Sequence, residues 1–287
     1  MSNKGMEYGA LCHEFEGISI EETAERMREI GFTIVQLDPR AANVSLGEGL
    51  PSPKRAQQVR RIFEAQGIRI AALAGYSNLM DCNPSKREKV LEVFEGMIAL
   101  CEHFGTSYIA TETGGLDPVN PWANSPLNHT EEAWDEFVPL LRRLQGKAIE
   151  HDAVILLEGY VNNVLSTTDK AKRIIEELGM KGLGFVLDPF NYMNPEDFDD
   201  QRQAFGRVFE AIGAYSPIAH AKDAVWIDEW LVTPRAGTGL AEWPIYAEML
   251  RQYKPEIPLL LEHMKLEEAE ESLRFVQDAL RINHLQI

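Results

Sequence analysis

The sequence predicts a single (β/α)8 barrel that spans residues 1–287. Eight short apolar or β-branched runs recur along the chain, and amphipathic stretches with helix signals separate them. Most of these runs are near-continuous rather than alternating, as expected of parallel strands buried on both faces. Eight strand-then-helix units of about 30–45 residues suit a closed barrel, which usually needs about 250 residues. An open doubly wound sheet is the alternative, but no G-x-G-x-x-G follows the first run, so its dinucleotide-binding form lacks support.

The eight runs and the helix signals between them set the element boundaries. We predict strands at residues 8–12, 33–37, 68–74, 107–111, 153–157, 183–187, 217–221 and 258–261. Ser19 and Glu22 form an S-x-x-E capping box at the start of the first helix. Ser52-Pro53 and Asn194-Pro195 each place a capping residue before a proline at the first helical position.

Composition bounds the function. The formal net charge of −17 disfavours non-specific binding to nucleic acid, because that affinity comes from Lys and Arg neutralising phosphates. Cys12, Cys82 and Cys101 have no metal-ligand spacing, and a sparse, odd set suggests reduced thiols in the cytoplasm. No apolar run resembles a signal peptide or approaches the roughly 20 residues of a membrane span. We therefore expect a soluble cytoplasmic protein without a nucleic-acid or membrane partner.

Four of the last strands end in a potential metal ligand: Glu158, Asp188, His220 and Glu262. In a barrel these strand ends converge on one mouth, where three carboxylates and an imidazole require a cation. Three oxygen donors, one nitrogen donor and water favour Mn²⁺ or Mg²⁺, with Co²⁺ or Zn²⁺ as alternatives. One acid after a strand is more often a helix cap, but four such residues on consecutive strands are hard to explain as caps. His263 directly follows Glu262 and is expected to face away from the barrel axis.

An ordered set of motifs resembles the sugar phosphate isomerase/epimerase group. These motifs are LLEGY (156–160), LDPFN (187–191), HAKD (220–223), GTGLAEW (237–243) and LLLEH (259–263). The segments GYSNLMDCNP (75–84) and TETGG (111–115) fit as well, so the resemblance covers nearly the whole chain. The group has xylose isomerase-like TIM barrels and includes ketose 3-epimerases, an inosose dehydratase and, more distantly, type-IV apurinic endonucleases.

The resemblance implies a ligand set and a role for each glutamate. It implies that Glu158, Asp188, His220 and Glu262 bind one catalytic metal, for which we expect Mn²⁺ first. It further implies that Glu158 and Glu262 act as acid/base groups on opposite faces of a carbohydrate substrate. A homodimer or homotetramer is a further implication of the resemblance.

The chemistry of these residues agrees with that implication. Moving a proton next to a carbonyl needs an electrophile that stabilises the enediolate, which a metal supplies, and a base with a suitable pKa. Two carboxylates that flank the carbon can remove a proton from one face and return a proton to the other face, which gives an epimer. If a proton is returned to the neighbouring carbon instead, the product is an isomer. We therefore expect a metal-dependent isomerase or epimerase of a sugar or sugar phosphate. A dehydratase of an inosose or keto-sugar is the alternative, because the same enediolate can expel a β-hydroxyl, and a non-catalytic sugar-binding protein is a remote one.

Three candidate substrate-binding residues follow the last strands. Asn191 occupies the position where ketose 3-epimerases usually place a histidine, and it can hydrogen-bond a hydroxyl but cannot titrate. Lys222 shares strand parity with His220, so it either reaches a substrate oxygen or phosphate or pairs with Asp223 or another acid. Arg235 either holds an anionic group or is a solvated loop residue.

Three further candidates follow earlier strands. Glu112 follows the fourth strand and either hydrogen-bonds substrate or forms an ion pair at the rim. Tyr76 lies beyond the third strand, where an aromatic wall would suit a sugar ring, and His13 ends the first. The long loop at residues 117–128 is either a lid or simple surface packing.

Overall fold

The elements follow the predicted alternation of strand and helix. The computed structural model describes residues 6–15, 17–40 and 49–281. The strands are β1 (Tyr8–Leu11), β2 (Ile34–Leu37), β3 (Arg69–Ala74), β4 (Tyr108–Glu112), β5 (Val154–Glu158), β6 (Leu183–Leu187), β7 (Ile218–Ala221), β8 (Val225–Ile227), β9 (Trp230–Val232) and β10 (Leu259–Leu261). The helices are α1 (Ile20–Ile30), α2 (Pro53–Ala65), α3 (Pro84–Phe104), α4 (Glu131–Glu150), α5 (Thr168–Leu178), α6 (Gln201–Ile212), α7 (Trp243–Tyr253) and α8 (Ala269–Arg281).

Within the described ranges, strands β1–β7 and β10 close into one parallel barrel. The barrel closes where β1 pairs with β10, with Tyr8 opposite Leu259 and Ala10 opposite Leu261. The ends of these strands differ from the predicted runs by no more than one residue. The (β/α)8 prediction is confirmed, and a closed sheet rules out the doubly wound alternative.

Two layers of apolar side chains hold the barrel together. A small cluster that includes Leu11, Ile34, Leu156, Val186 and Leu260 fills the barrel interior. A much larger cluster lies between the sheet and the surrounding helices. The interior is therefore packed rather than open, as is typical of this fold. Of the helices in the described ranges, none has the length and apolar character that a membrane crossing requires.

Two of the three predicted helix starts are correct. The Ser19 hydroxyl accepts from the N–H of Glu22 at 3.1 Å, and Ser52 caps α2 in the same way. Asn194-Pro195 does not begin the sixth helix but a 3₁₀ turn, Pro195–Asp199. The reason is a second capping residue, Asp200, whose carboxylate accepts from the N–H of Gln203 and restarts the chain as α6.

An antiparallel hairpin interrupts the segment after β7. Its strands β8 and β9 pair Val225 with Val232 and Ile227 with Trp230. The two residues between them, Asp228 and Glu229, both have positive φ, as a tight two-residue turn requires. These two strands are not among the eight that the sequence predicts, and the hairpin lies beside the barrel mouth, where β7 ends.

Two glycine-to-alanine substitutions should change stability in opposite directions. A Cβ at Gly9 would lie 2.0 Å from the backbone oxygen of Ile34 on the neighbouring strand. We expect Gly9→Ala to lower the free energy of unfolding by about 1–3 kcal/mol, because backbone has to move.

Gly146 is the matched control, since it lies in α4 and a Cβ there meets nothing within 4 Å. Gly146→Ala should raise the free energy of unfolding by about 0.5–1 kcal/mol through helix propensity. Urea denaturation followed by circular dichroism measures both, and equal effects would contradict the packing of β1 on β2.

Candidate functional site

The four predicted metal ligands meet at the mouth of the barrel. Glu158 is the last residue of β5, Asp188 follows β6, His220 lies in β7 and Glu262 follows β10. One donor atom from each lies within 4.8 Å of the other three, and all four residues are buried. Four strands that are separate along the chain thus bring three carboxylates and one imidazole to one point.

The ring of His220 lies among the three carboxylates. Its Nδ1 is 3.2 Å from Oε1 of Glu262, 3.4 Å from Oε1 of Glu158 and 3.6 Å from Oδ2 of Asp188. This Nδ1 is buried and has no hydrogen-bond partner. Donors that share one cation at about 2.0–2.2 Å lie roughly 3 Å apart, so this spacing suits a bound divalent ion.

The ammonium group of Lys222 completes the charge balance. Its Nζ lies 2.7 Å from Asp188 Oδ2, 2.8 Å from Glu262 Oε2 and 3.5 Å from Glu158 Oε1. Three carboxylates and one ammonium leave a charge of −2 when His220 is neutral, which one divalent cation neutralises. Lys222 therefore forms the ion pair that was one of its two predicted roles. Its partners are the candidate metal ligands rather than Asp223.

The pKa values reflect this concentration of charge. Burial lowers the pKa of His220, but the carboxylates of Glu262 and Glu158 outweigh it and raise that pKa to about 10. Burial opposes ionisation of Glu262, yet His220 and Lys222 lower its pKa to about 2. Lys222 likewise lowers the pKa of Asp188 despite its burial. Without a cation, a proton on His220 therefore offsets part of the negative charge of the three carboxylates. A bound cation would replace that proton.

A cavity of about 420 Å³ opens above this cluster. Of the four candidate ligands, only Glu158 and Glu262 line it, whereas Asp188 and His220 lie beneath. The volume is within the range of small-molecule sites, about 300–1,000 Å³. The two glutamates are therefore the candidate ligands that a substrate could touch.

Five of the six candidate substrate-binding residues line this cavity: Asn191, Lys222, Glu112, Tyr76 and His13. Asn191 Nδ2 donates to Oε1 of Glu158 at 2.7 Å, and the Tyr76 hydroxyl donates to its Oε2 at 2.5 Å. Desolvation and the carboxylate of Glu158 raise the pKa of Glu112 to about 8. The protonated form of Glu112 is thus favoured more than that of an ordinary glutamic acid, and this form can donate a hydrogen bond to a hydroxyl.

Two residues lie elsewhere than the sequence suggested. Arg235 does not line the cavity and instead pairs with Glu268 and Glu271 on the outer side of the loop. His263 was expected to face away from the barrel axis, but it lines the cavity. Strand alternation stops at Leu261, and His263 has a positive φ of 57°, which lies outside the strand conformation.

Two groups of residues at the mouth were not predicted from the sequence. Gln36 of β2 is fully buried and contacts Nε2 of His220 at 2.9 Å. The sequence did contain a sign of this role, because Gln36 is the one polar residue in the strand Ile34–Leu37. Arg40 and Asp38 also line the cavity and form an ion pair at 3.0 Å. Both lie in the loop after β2, where no sequence pattern predicts a role in the site.

Loss of one candidate ligand should abolish metal binding. We expect the wild-type protein to retain about one Mn²⁺ per chain after dialysis, and Asp188→Ala to retain almost none, because one of four donors is lost. Inductively coupled plasma mass spectrometry measures the content.

The control is Asp169→Ala, whose carboxylate lies on α5 with a side chain 90% exposed. Added Mn²⁺ should raise the melting temperature of the wild type and of this control but not that of Asp188→Ala. Equal metal contents in all three proteins would exclude the site.

Known structures share this barrel. The 3-keto-D-glucoside 4-epimerase from E. coli is 20% identical, with a TM-score of 0.71 over 95% of this chain and 99% of the other. A probable 3-DHS dehydratase from Bacillus anthracis is 17% identical, with a TM-score of 0.72 over 97% and 100%. A xylose isomerase-like TIM barrel protein from Mycobacterium smegmatis, in complex with magnesium, is 17% identical, with a TM-score of 0.65 over 96% and 98%. At these identities the similarity shows the fold alone.

Sequence comparison places the chain in a family. No protein with a curated description matches it. The model of the xylose isomerase-like TIM barrel family matches residues 24–279, which is most of the chain and includes every candidate ligand. The chain therefore belongs to the xylose isomerase-like TIM barrel family.

Proposed function

We propose that this protein is a metal-dependent isomerase or epimerase that moves a proton next to the carbonyl of a sugar. The observation that carries the proposal is the layering of the mouth. Glu158 and Glu262 line the cavity, while Asp188 and His220 lie beneath them and complete the candidate ligand set. This arrangement supports two different roles. Glu158 and Glu262 would contact the substrate as well as the ion, whereas Asp188 and His220 would only hold the ion.

A divalent cation held by these four residues would polarise the substrate carbonyl and stabilise the enediolate. We propose Mn²⁺, because three oxygen donors and one imidazole suit it, although Mg²⁺, Co²⁺ and Zn²⁺ accept similar donors.

The two glutamates are oriented before a substrate arrives. Tyr76 and Asn191 hold the carboxylate of Glu158 from two sides, at 2.5 and 2.7 Å. Lys222 holds Oε2 of Glu262 at 2.8 Å. In our proposal one glutamate takes the proton from the carbon next to the carbonyl, and the other, in its protonated form, donates its own proton to that carbon from the opposite face. Glu112 and Asn191 would bind hydroxyls of the sugar.

A dehydratase remains the second candidate function. The probable 3-DHS dehydratase shares the fold over nearly its whole length. An enediolate that loses a β-hydroxyl would give a product lighter by one water. Product mass therefore separates the two reactions, since isomerisation and epimerisation leave it unchanged.

Glu262→Gln should lose turnover and keep metal. The amide retains an oxygen donor but cannot accept the proton, so we expect a fall in kcat of about 10²–10⁴-fold. The Mn²⁺-loaded protein is tested on free ketoses, ketose phosphates and inososes in D₂O, with NMR and mass spectrometry for deuterium uptake and product identity.

Glu270→Gln is the control, because Glu270 is an exposed residue of α8. It should match the wild type. Wild-type turnover in Glu262→Gln, with metal content unchanged, would contradict the assigned role of Glu262.

The charges of the mouth support an uncharged substrate rather than a sugar phosphate. Arg40 is held by both carboxylate oxygens of Asp38, at 3.0 Å each, and it also donates to the backbone oxygen of Tyr76. Lys222 is held by the metal-site acids, and Arg235 lies outside the cavity. Every Lys and Arg among the described residues lining the cavity thus has a carboxylate partner. Residues 41–48, which follow Arg40 in the sequence, contain no Lys, Arg or His.

Releasing Arg40 should create affinity for phosphate. We expect Asp38→Asn to bind inorganic phosphate about tenfold or more tightly than the wild type, because an unpaired guanidinium forms charge-assisted hydrogen bonds of about 1.5–3 kcal/mol. Isothermal titration measures the binding.

Asp135→Asn, an exposed position on α4, is the control and should behave as the wild type. Tight phosphate binding by the wild type itself would contradict an uncharged substrate.

A further inference from the structure

A chain of hydrogen bonds connects two of the candidate metal ligands through residues that ligate nothing. His220 Nε2 contacts Oε1 of Gln36 at 2.9 Å. Gln36 Nε2 donates to the Tyr76 hydroxyl at 3.1 Å, and that hydroxyl donates to Oε2 of Glu158 at 2.5 Å. Gln36 is fully buried, so both ends of its amide depend on these partners.

The chemistry of the amide gives this chain one direction. The amide oxygen only accepts and the amide nitrogen only donates. His220 must therefore carry a proton on Nε2, which leaves Nδ1 as the ring nitrogen that can ligate in a neutral imidazole. Because Gln36 donates to the Tyr76 oxygen, the hydrogen of Tyr76 is available to Glu158.

The reversed amide would disrupt both ligands. Its nitrogen would face Nε2 of His220 and favour the tautomer with the proton on Nδ1, the atom that lies among the carboxylates. Its oxygen would accept the Tyr76 hydrogen, so Oε2 of Glu158 would lose its donor. One side chain thus controls the tautomer of one ligand and the hydrogen bonding of another.

We propose that Gln36 is a positioning residue that holds His220 in its ligating tautomer and, through Tyr76, holds Glu158 in its ligating orientation. Among the described residues it is not one that lines the cavity above the cluster, so its effect is expected on metal affinity itself. The inference rests on the metal site of the proposed function but not on the reaction.

The strand geometry at Gln36 is consistent with this role. The register between β2 and β3 shifts between Val35 and Gln36, so Val35 lies opposite Ile70 and Gln36 opposite Ala72. The additional residue, Ala71, lies on β3, so Gln36 keeps the strand parity of Ile34, which belongs to the apolar cluster of the barrel interior. On its other side, Gln36 lies opposite Leu11 of β1.

The test is Mn²⁺ binding to the metal-free protein, without any substrate. We expect Gln36→Leu to raise the Kd for Mn²⁺ about 10–100-fold, as loss of the partner of a metal-bound histidine does. Gln36→Glu should raise the Kd less than Gln36→Leu does, because a carboxylate still accepts from Nε2–H and maintains the tautomer, although it no longer donates to Tyr76.

Gln145→Leu is the matched control. Gln145 is also a buried glutamine, and its amide donates to the backbone oxygens of Leu178 and Lys181, away from the barrel mouth. Its substitution removes a comparable set of hydrogen bonds and should leave the Kd for Mn²⁺ unchanged. A purely structural role for Gln36 predicts equal behaviour of the two leucine variants.

A second measurement identifies which ring nitrogen of His220 ligates the metal. In the Zn²⁺-loaded protein, ¹⁵N NMR should show His220 protonated on Nε2 in the wild type and in Gln36→Glu. If Gln36→Leu does not fold, Gln36→Glu and Tyr76→Phe carry the test. Tyr76→Phe should keep the tautomer and weaken Mn²⁺ binding, because only Glu158 loses its donor.

The outcomes separate this inference from the proposed function. A wild type that binds no Mn²⁺ would remove the metal site and with it the proposed reaction. A wild type that binds Mn²⁺ while Gln36→Leu binds it equally well would overturn only the role of Gln36.

Discussion

The burial of three carboxylates around one imidazole is the constraint on which the barrel mouth depends. Unpaired buried charges cost several kcal/mol each, so the cluster requires cations at close range. Lys222 supplies one, and it reaches the cluster because it has the same strand parity as His220, with Ala221 directed the other way between them. With His220 neutral, the remaining charge is −2, which a divalent ion would balance.

The depth of each ligand follows from the turn that comes after its strand. After β6 the chain turns back at once, and the N–H groups of Phe190 and Asn191 donate to Oδ1 of Asp188 at 3.1 and 3.4 Å. The same turn covers Asp188 and brings Asn191 against Glu158. Glu262 follows β10 without such a cover, so it stays open to the cavity. The division between candidate ligands that line the cavity and candidate ligands that lie beneath it is thus a property of the loops.

Two motifs that seemed to belong to the chemistry prove to be one structural unit. The carboxylate of Asp223 accepts from the backbone N–H groups of Ala224, Gly237 and Ala241. A Cβ at Gly239 would lie 2.4 Å from Oδ1 of Asp223, so this loop packs directly on that carboxylate. Asp223, the last residue of HAKD, therefore anchors the segment GTGLAEW. Lys222 pairs instead with the acids among the candidate metal ligands.

The sequence by itself determined the barrel and the four candidate ligands. Near-continuous apolar runs define strands buried on both faces, and a polar residue at the end of such a run has to lie at the mouth. Only the tertiary structure decided the partners of each side chain. Gln36 and His220 are 184 residues apart in the sequence but form a hydrogen bond. Arg235 forms ion pairs with Glu268 and Glu271 and does not line the cavity. Strand polarity is a local property that a sequence displays, whereas a hydrogen-bond or ion-pair partner depends on where distant loops and neighbouring strands place their side chains.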